Sequence, residues 1–258
     1  MNNKTFRVLS IDFDYFQNAS KEVLMEYPDG IDLQPSLSQQ VWKGKYDFKP
    51  SADLINTVTC KTNEMYFVEN VFMNNCKQDI PVLACFSHEY IYGFMQEQFS
   101  ASGVEKLEIV NVDFHADYYN DNVKNDTQDC GNWCYFIKQE IPNTKIIWIA
   151  PENYVELYEE QDYIGIDKIT TDLSILKQHD YDAVFLCRSD NWLPPHLDKY
   201  FQQFLHFFCA YFRQGKIQQV ITAPRDYPKE PTFGIEDKSD LEKDPELESA
   251  LATLKLFN

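Results

Sequence analysis

The sequence predicts an α/β fold, a three-layer α/β/α arrangement around a mainly parallel sheet. Two observations carry it. Short apolar runs alternate along the chain with segments whose apolar residues recur three and four apart, the pattern of strand and covering helix in turn. Several of the short runs, such as Pro81 to Phe86, are apolar without a break, as strands covered on both faces are. At 258 residues and 44% hydrophobic the chain buries a sizeable core, and residues 1–258 read as a single domain.

Taken in order, strands are expected at 6–13, 81–87, 107–113, 145–150, 182–188 and 216–222. Helices are expected at 64–75, 89–99 and 196–213, with aromatic stripes that face the sheet. Residues 26–50 are rich in Pro, Gly, Asp, Ser and Gln and read as a rim loop or lid beside the end of the first strand. The stretch from Pro228 to Pro245 is acidic, and ELESALATLKLF after it reads as a closing helix whose leucines dock.

The formal net charge of -18 argues against nucleic acid or an anionic membrane as partner and favours cationic ligands, an arginine side chain among them. Seven cysteines without CxxC spacing indicate neither a disulfide framework nor a zinc knuckle. MNNKTFRVLS lacks the apolar core of a signal peptide, and no apolar run is long enough to span a bilayer, so a cytoplasmic soluble protein is expected.

The stretch NVDFHADYYND puts Asp113, His115 and Asp117 two apart directly after an apolar strand. Alternate strand residues share a face, so the three side chains start together and converge if the chain curls out of the sheet. FRVLSIDFDYF ends a second strand with Asp12 and Asp14, and PVLACFSHEY ends a third with His88. In an open α/β sheet ligands bind beyond the carboxyl ends of strands, and all three clusters lie at that end. Six oxygen and nitrogen donors without a thiolate suit hard or borderline divalent ions, Mn²⁺ ahead of Mg²⁺, Fe²⁺ or Zn²⁺. Singly, each cluster also has a plainer reading: a solvated acidic loop, an N-cap aspartate pair, a helix-entry histidine.

These motifs resemble the arginase and deacetylase superfamily, in its binuclear branch of ureohydrolases. A divergent arginase-like group is the more similar, through SHEYIY, NVDFHADYY, CGNWCYFIKQEIPNTKIIWIAP and SIDFDYF. It includes the peptide arginases that mature ribosomal peptide natural products. The resemblance implies an arginase-like fold with a permuted motif order, since SIDFDYF precedes the other motifs here. It also implies two Mn²⁺, peptidyl arginine in a precursor peptide as substrate, and ornithine and urea as products. By motif, Asp113 and one of Asp12 or Asp14 would bridge the ions. His88 and Asp117 would serve mainly one ion, His115 and the other member of the DxD pair its neighbour.

A guanidinium is a poor electrophile, and a hydroxide shared by two divalent ions is a nucleophile able to attack its central carbon near neutral pH. Asp190, at the end of the strand in DAVFLCRSDNW, is the candidate carboxylate to grip the guanidinium, with an N-cap or an ion pair to Arg188 as the other reading. Glu89 reads as a catalytic-site group that orients a ligand. Asn132 and Trp133 match the resemblance's N-W element and are candidates to line the pocket, the core reading of Trp133 standing first. The general-acid histidine of typical arginases has no counterpart by motif. Other readings remain: a haloacid-dehalogenase-type phosphohydrolase using Asp12 and Asp14, a one-metal deacetylase, and a metal-binding scaffold without catalysis.

Overall fold

Strands apolar on both faces require helices on both sides of the sheet, and the chain supplies them. A computed structural model describes residues 4–20, 23, 35–47, 53–118, 127–152, 160–221 and 223–228. In chain order these form β1 (Thr5–Asp12), β2 (Gln17–Asn18), α1 (Pro35–Asp47), α2 (Leu54–Thr57), β3 (Thr59–Cys60), α3 (Thr62–Asn75), β4 (Val82–Cys85), α4 (Tyr90–Ser102), β5 (Lys106–Val112), α5 (Trp133–Glu140), β6 (Thr144–Ile149), β7 (Lys168–Thr170), β8 (Ala183–Cys187), α6 (Asp198–Tyr211) and β9 (Ile217–Val220).

The central sheet has the order β7-β6-β5-β1-β8-β4-β9, and every neighbouring pair is parallel. β2 and β3 form a separate short antiparallel pair. Alternation along the strands divides the core. Leu9 and Ile11 of β1, with Val110 and Val112 of β5, face α3 and α6 through Phe72, Phe201, Phe204 and Phe208. Val8, Ile109 and Ile146 face α4 and α5 through Phe94, Met95, Trp133 and Ile137. The result is the expected three-layer α/β/α arrangement.

The six expected strands all form, and β7, three residues at the sheet edge, adds a seventh that its brief KIT run did not announce. The expected rim loop needs correction over part of its length. Residues 35–47 are a helix whose Ser38, Trp42 and Tyr46, four apart, are buried on one side; the polar residues between them masked the period. The rest of the expected lid, and the acidic tail with its closing helix, fall largely or wholly outside the described residues. Among the described residues no helix is long and apolar enough to cross a membrane.

β1 lies between β5 and β8, although β5 follows it by about a hundred residues. The DxD strand and the DxHxD strand are therefore neighbours. Register pairs Ser10 with Asn111 and Asp12 with Cys187, which sets the two acidic ends level.

Candidate metal centre

At the carboxyl end of β1 the chain turns into a short 3-10 helix, Phe13–Phe16, capped by Asp12, whose Oδ1 accepts the Asp14 N–H at 3.2 Å. At the end of β5, Asp113 Oδ1 accepts the His115 N–H at 2.8 Å and curls the chain in the same way. Asp117 then takes a left-handed conformation, φ 52°, uncommon for a residue with a side chain. His88 arrives from the turn after β4, just before α4.

All six expected ligands meet there. His88 Nδ1 lies 3.2 Å from Asp12 Oδ2, 3.1 Å from Asp113 Oδ2 and 2.9 Å from Asp117 Oδ2. His115 Nδ1 lies 3.1 Å from Asp14 Oδ2 and 3.8 Å from Asp113 Oδ1. Two overlapping groups, Asp12 with His88 and Asp113, and Asp14 with Asp113 and His115, are each compact enough to hold a metal ion. Asp113 belongs to both, one oxygen toward each histidine.

The geometry fits cations better than protons. Buried His88 Nδ1 points among three carboxylates yet makes no hydrogen bond of acceptable geometry with any of them. An imidazole nitrogen that faces several carboxylate oxygens without hydrogen-bonding one is placed as a ligand is. The charges agree. Burial, then the neighbouring charges of Asp14 and Asp113, push the Asp12 carboxyl up to about 7. Burial and Asp117 push Asp113 to about 8. Burial pulls both histidines down, but the carboxylates outweigh it: Asp14 first for His115, raised to about 9, and Asp117 first for His88, raised well above its ordinary value. Four crowded aspartates thus call for positive charge, which divalent ions supply.

A surrounding shell fixes the ligands. His88 Nε2 and Ser10 Oγ are hydrogen-bonded at 2.9 Å, Nε2–H donating in the tautomer that leaves Nδ1 free for a ligand role, and the imidazole stacks on Phe185. Asn111 Nδ2 donates to Asp113 Oδ2 at 3.0 Å, and Trp148 Nε1 to the Asp113 carbonyl at 2.9 Å. Trp133 Nε1 donates to Asp117 Oδ2 at 2.6 Å. Ser189, left-handed at φ 60°, sets its hydroxyl 3.4 Å from Asp14 Oδ2.

Ser10, Asn111, Trp148 and Ser189 are absent from the sequence reading. Ser10 and Asn111 did leave a signal: each is a polar residue in an apolar strand, two positions before an aspartate and hence on its face.

Three expected roles change. Asp190 is buried with both oxygens on the Arg188 guanidinium, Oδ1 to Nε and Oδ2 to a terminal nitrogen, so the ion-pair reading describes it and its carboxylate is occupied. Glu89 is exposed, and the group orienting His88 is the Ser10 hydroxyl. Asn132 is spent on its own loop, its Oδ1 accepting the Asp129 N–H and its Nδ2 donating to the Thr127 carbonyl. Trp133 is buried core, as the reading placed first has it, and it also holds Asp117. The remaining histidines lie apart from the cluster: His196 bonds Tyr46 and the Val58 carbonyl, His179 faces Glu108, and His206 is exposed on α6.

No family model, curated protein or solved structure matches the chain.

Proposed function

We propose that the chain is a binuclear Mn²⁺-dependent hydrolase that converts peptidyl arginine to ornithine with release of urea. One observation carries the reading: two histidines and four aspartates from three strand ends meet as two overlapping ligand groups that share Asp113. The strand order supports it further, because placing β1 beside β5 closes the site despite the permuted motif order. Asp12, His88, Asp113 and Asp117 would hold one ion, and Asp14, Asp113 and His115 the other. Bound there, a divalent pair supplies Lewis acidity and a water acidified to near neutrality.

The chain's own residues do the rest by position. Ser10 Oγ partners His88 Nε2 and accepts its N–H in the tautomer that leaves Nδ1 free to act as a ligand. Asn111 and the His115 N–H hold the two Asp113 oxygens apart, one toward each group. Trp133 and Phe185 wall the His88 side against water. Asp14 is steadied by the Phe114 N–H and the Ser189 hydroxyl, both at 3.4 Å. A peptide substrate offers no free α-carboxylate or α-amine, so discrimination falls on the side chain.

The test is direct. Mn²⁺-loaded protein is incubated with arginine peptides, lysine peptides, free arginine and a phosphoester. Urea release, with the mass loss that ornithine formation requires, is expected from arginine peptides well ahead of free arginine. Turnover of free arginine alone, phosphate release instead, or tight Mn²⁺ binding with no product from any of them would each defeat the proposal.

A further inference from the structure

The chain's four tryptophans fall into two kinds. Trp42, Trp133 and Trp148 are buried, and each commits its indole N–H, to the Asp190 carbonyl, Asp117 Oδ2 and the Asp113 carbonyl. Trp192 is half-buried, and among the described residues its indole N–H has no hydrogen-bond partner. Its ring centroid stands 4.7 Å from that of His115, and the Phe114 ring borders His115 at 5.1 Å. His115 is the most exposed of the six cluster residues, its side chain at 16% against 5% or less for the others. Among the described residues, then, the cluster meets the outside at His115, and Trp192 stands there.

The fold holds this ring in place at some cost. The Trp192 backbone N–H donates to the carbonyl of Ser189, a residue in left-handed backbone, a conformation that costs a side-chain-bearing residue roughly 1–2 kcal/mol. The intervening Asp190 is fastened through its carbonyl, which accepts from Ser38 Oγ, Trp42 Nε1 and the Arg225 guanidinium. Arg225 is tied in turn to Asp198. The backbone that carries Trp192 is thus anchored, and its half-exposed indole stands beside His115.

Charge narrows what that is. Two divalent ions would cancel the four aspartate charges of the cluster, and Asp190 is already paired with Arg188. An aromatic face still attracts a planar delocalised cation. We propose that Trp192 is the receiving wall for the substrate's guanidinium, which lies against the indole face as it enters over His115. The guanidinium itself comes from the hydrolase reading above, on which this inference rests.

Trp192 is the half-exposed indole, so its emission reports on the site. Mn²⁺-loaded protein is mixed rapidly with Nα-acetylarginine N-methylamide or with its neutral isostere, Nα-acetylcitrulline N-methylamide, and emission is followed before turnover. The arginine probe is expected to change the emission and to bind roughly 5- to 30-fold more tightly than the citrulline probe, the range of a partly desolvated cation–π contact. Trp192→Leu should lose a similar factor in affinity or KM for the arginine probe while keeping its metal content and melting temperature, and Trp192→Phe should fall between.

Equal binding of the two probes, no binding of the arginine probe to wild type, or Trp192→Leu with wild-type affinity and KM overturns the wall. Trp192-dependent binding without urea release removes the hydrolase reading and leaves the wall standing. Urea release at wild-type kcat and KM from Trp192→Leu does the reverse.

Discussion

Ser10→Ala removes one buried oxygen and little else. The hydroxyl lies on the face of β1 that bears Asp12, beside Asn111 of β5, and takes the His88 Nε2–H at 2.9 Å. Without it, His88 has two options. It can keep its tautomer with a buried N–H unsatisfied, at about 1–3 kcal/mol. Or it can move the proton to Nδ1, where it faces three carboxylates and blocks the lone pair an ion needs. The second option is available to the metal-free protein but not to the loaded one, so the penalty falls mainly on metal binding. Loss of such an outer partner weakens metal affinity about 10- to 100-fold, which is about 1.4–2.8 kcal/mol. Calorimetric titration of chelator-treated protein with Mn²⁺ measures the first effect, and melting with and without Mn²⁺ the second. The gain in melting temperature from Mn²⁺ should shrink, while the metal-free melting temperature moves less. Mn²⁺ affinity within twofold of wild type would refute the argument that Ser10 supports His88 as a ligand through Nε2.

Asp113→Ala should abolish binding of both ions, because both groups use Asp113, whereas His115→Ala should leave one; elemental analysis giving the same metal content for the two variants would contradict the sharing. In the metal-free protein Asp12 and Asp113 are raised from 3.8 to about 7 and about 8, and His115 from 6.5 to about 9, so their stability contribution is full below the unfolded values and is lost as pH rises toward 9. Metal binding requires the deprotonated ligands, so the Mn²⁺-induced rise in melting temperature should be larger at about pH 8.5 than at about pH 6; an equal rise would count against these groups as ligands. Asp190→Asn should cost about 3–5 kcal/mol of stability by removing the bidentate carboxylate from the buried Arg188 charge, a drop read by denaturant unfolding; a stable variant that loses only kcat/KM would restore Asp190 as the substrate grip.

The strands were legible from their unbroken apolar runs and the ligands from their spacing of two at the strand ends. A buried parallel strand is a short unbroken apolar run, and an aspartate or histidine at its end departs from that run visibly, as in VLSIDFD and IVNVDFHAD. α1 was not legible because, among its described side chains, only Ser38, Trp42 and Tyr46 are buried, and Gln and Lys separate them in a segment that opens on Pro. Asp190 was misplaced for a different reason. Its position at the end of β8 matched that of the ligands, but Arg188, two residues earlier in the chain, reaches back to it once the chain turns after Cys187. Partner choice between nearby charges is settled by side-chain direction, which spacing does not encode. Trp192 shares that difficulty, since its environment depends on His115 from another strand end.

The position of β1 at the centre of the sheet has a consequence for how the chain acquires its shape. Arg7 of β1 bonds residues 101 and 175 positions later, Glu108 on one side and Asp182 on the other. Until β5 and β8 are both in place, the central strand has an unpaired apolar edge, an open invitation to other chains. Contacts of that separation are slow to form. Folding should therefore be gated by capture of β1 between partners that lie far along the chain, and fragments ending before Ala183 should aggregate. The same strand carries Asp12 into the metal centre, so a chain that has not closed its sheet has not assembled its ligands either.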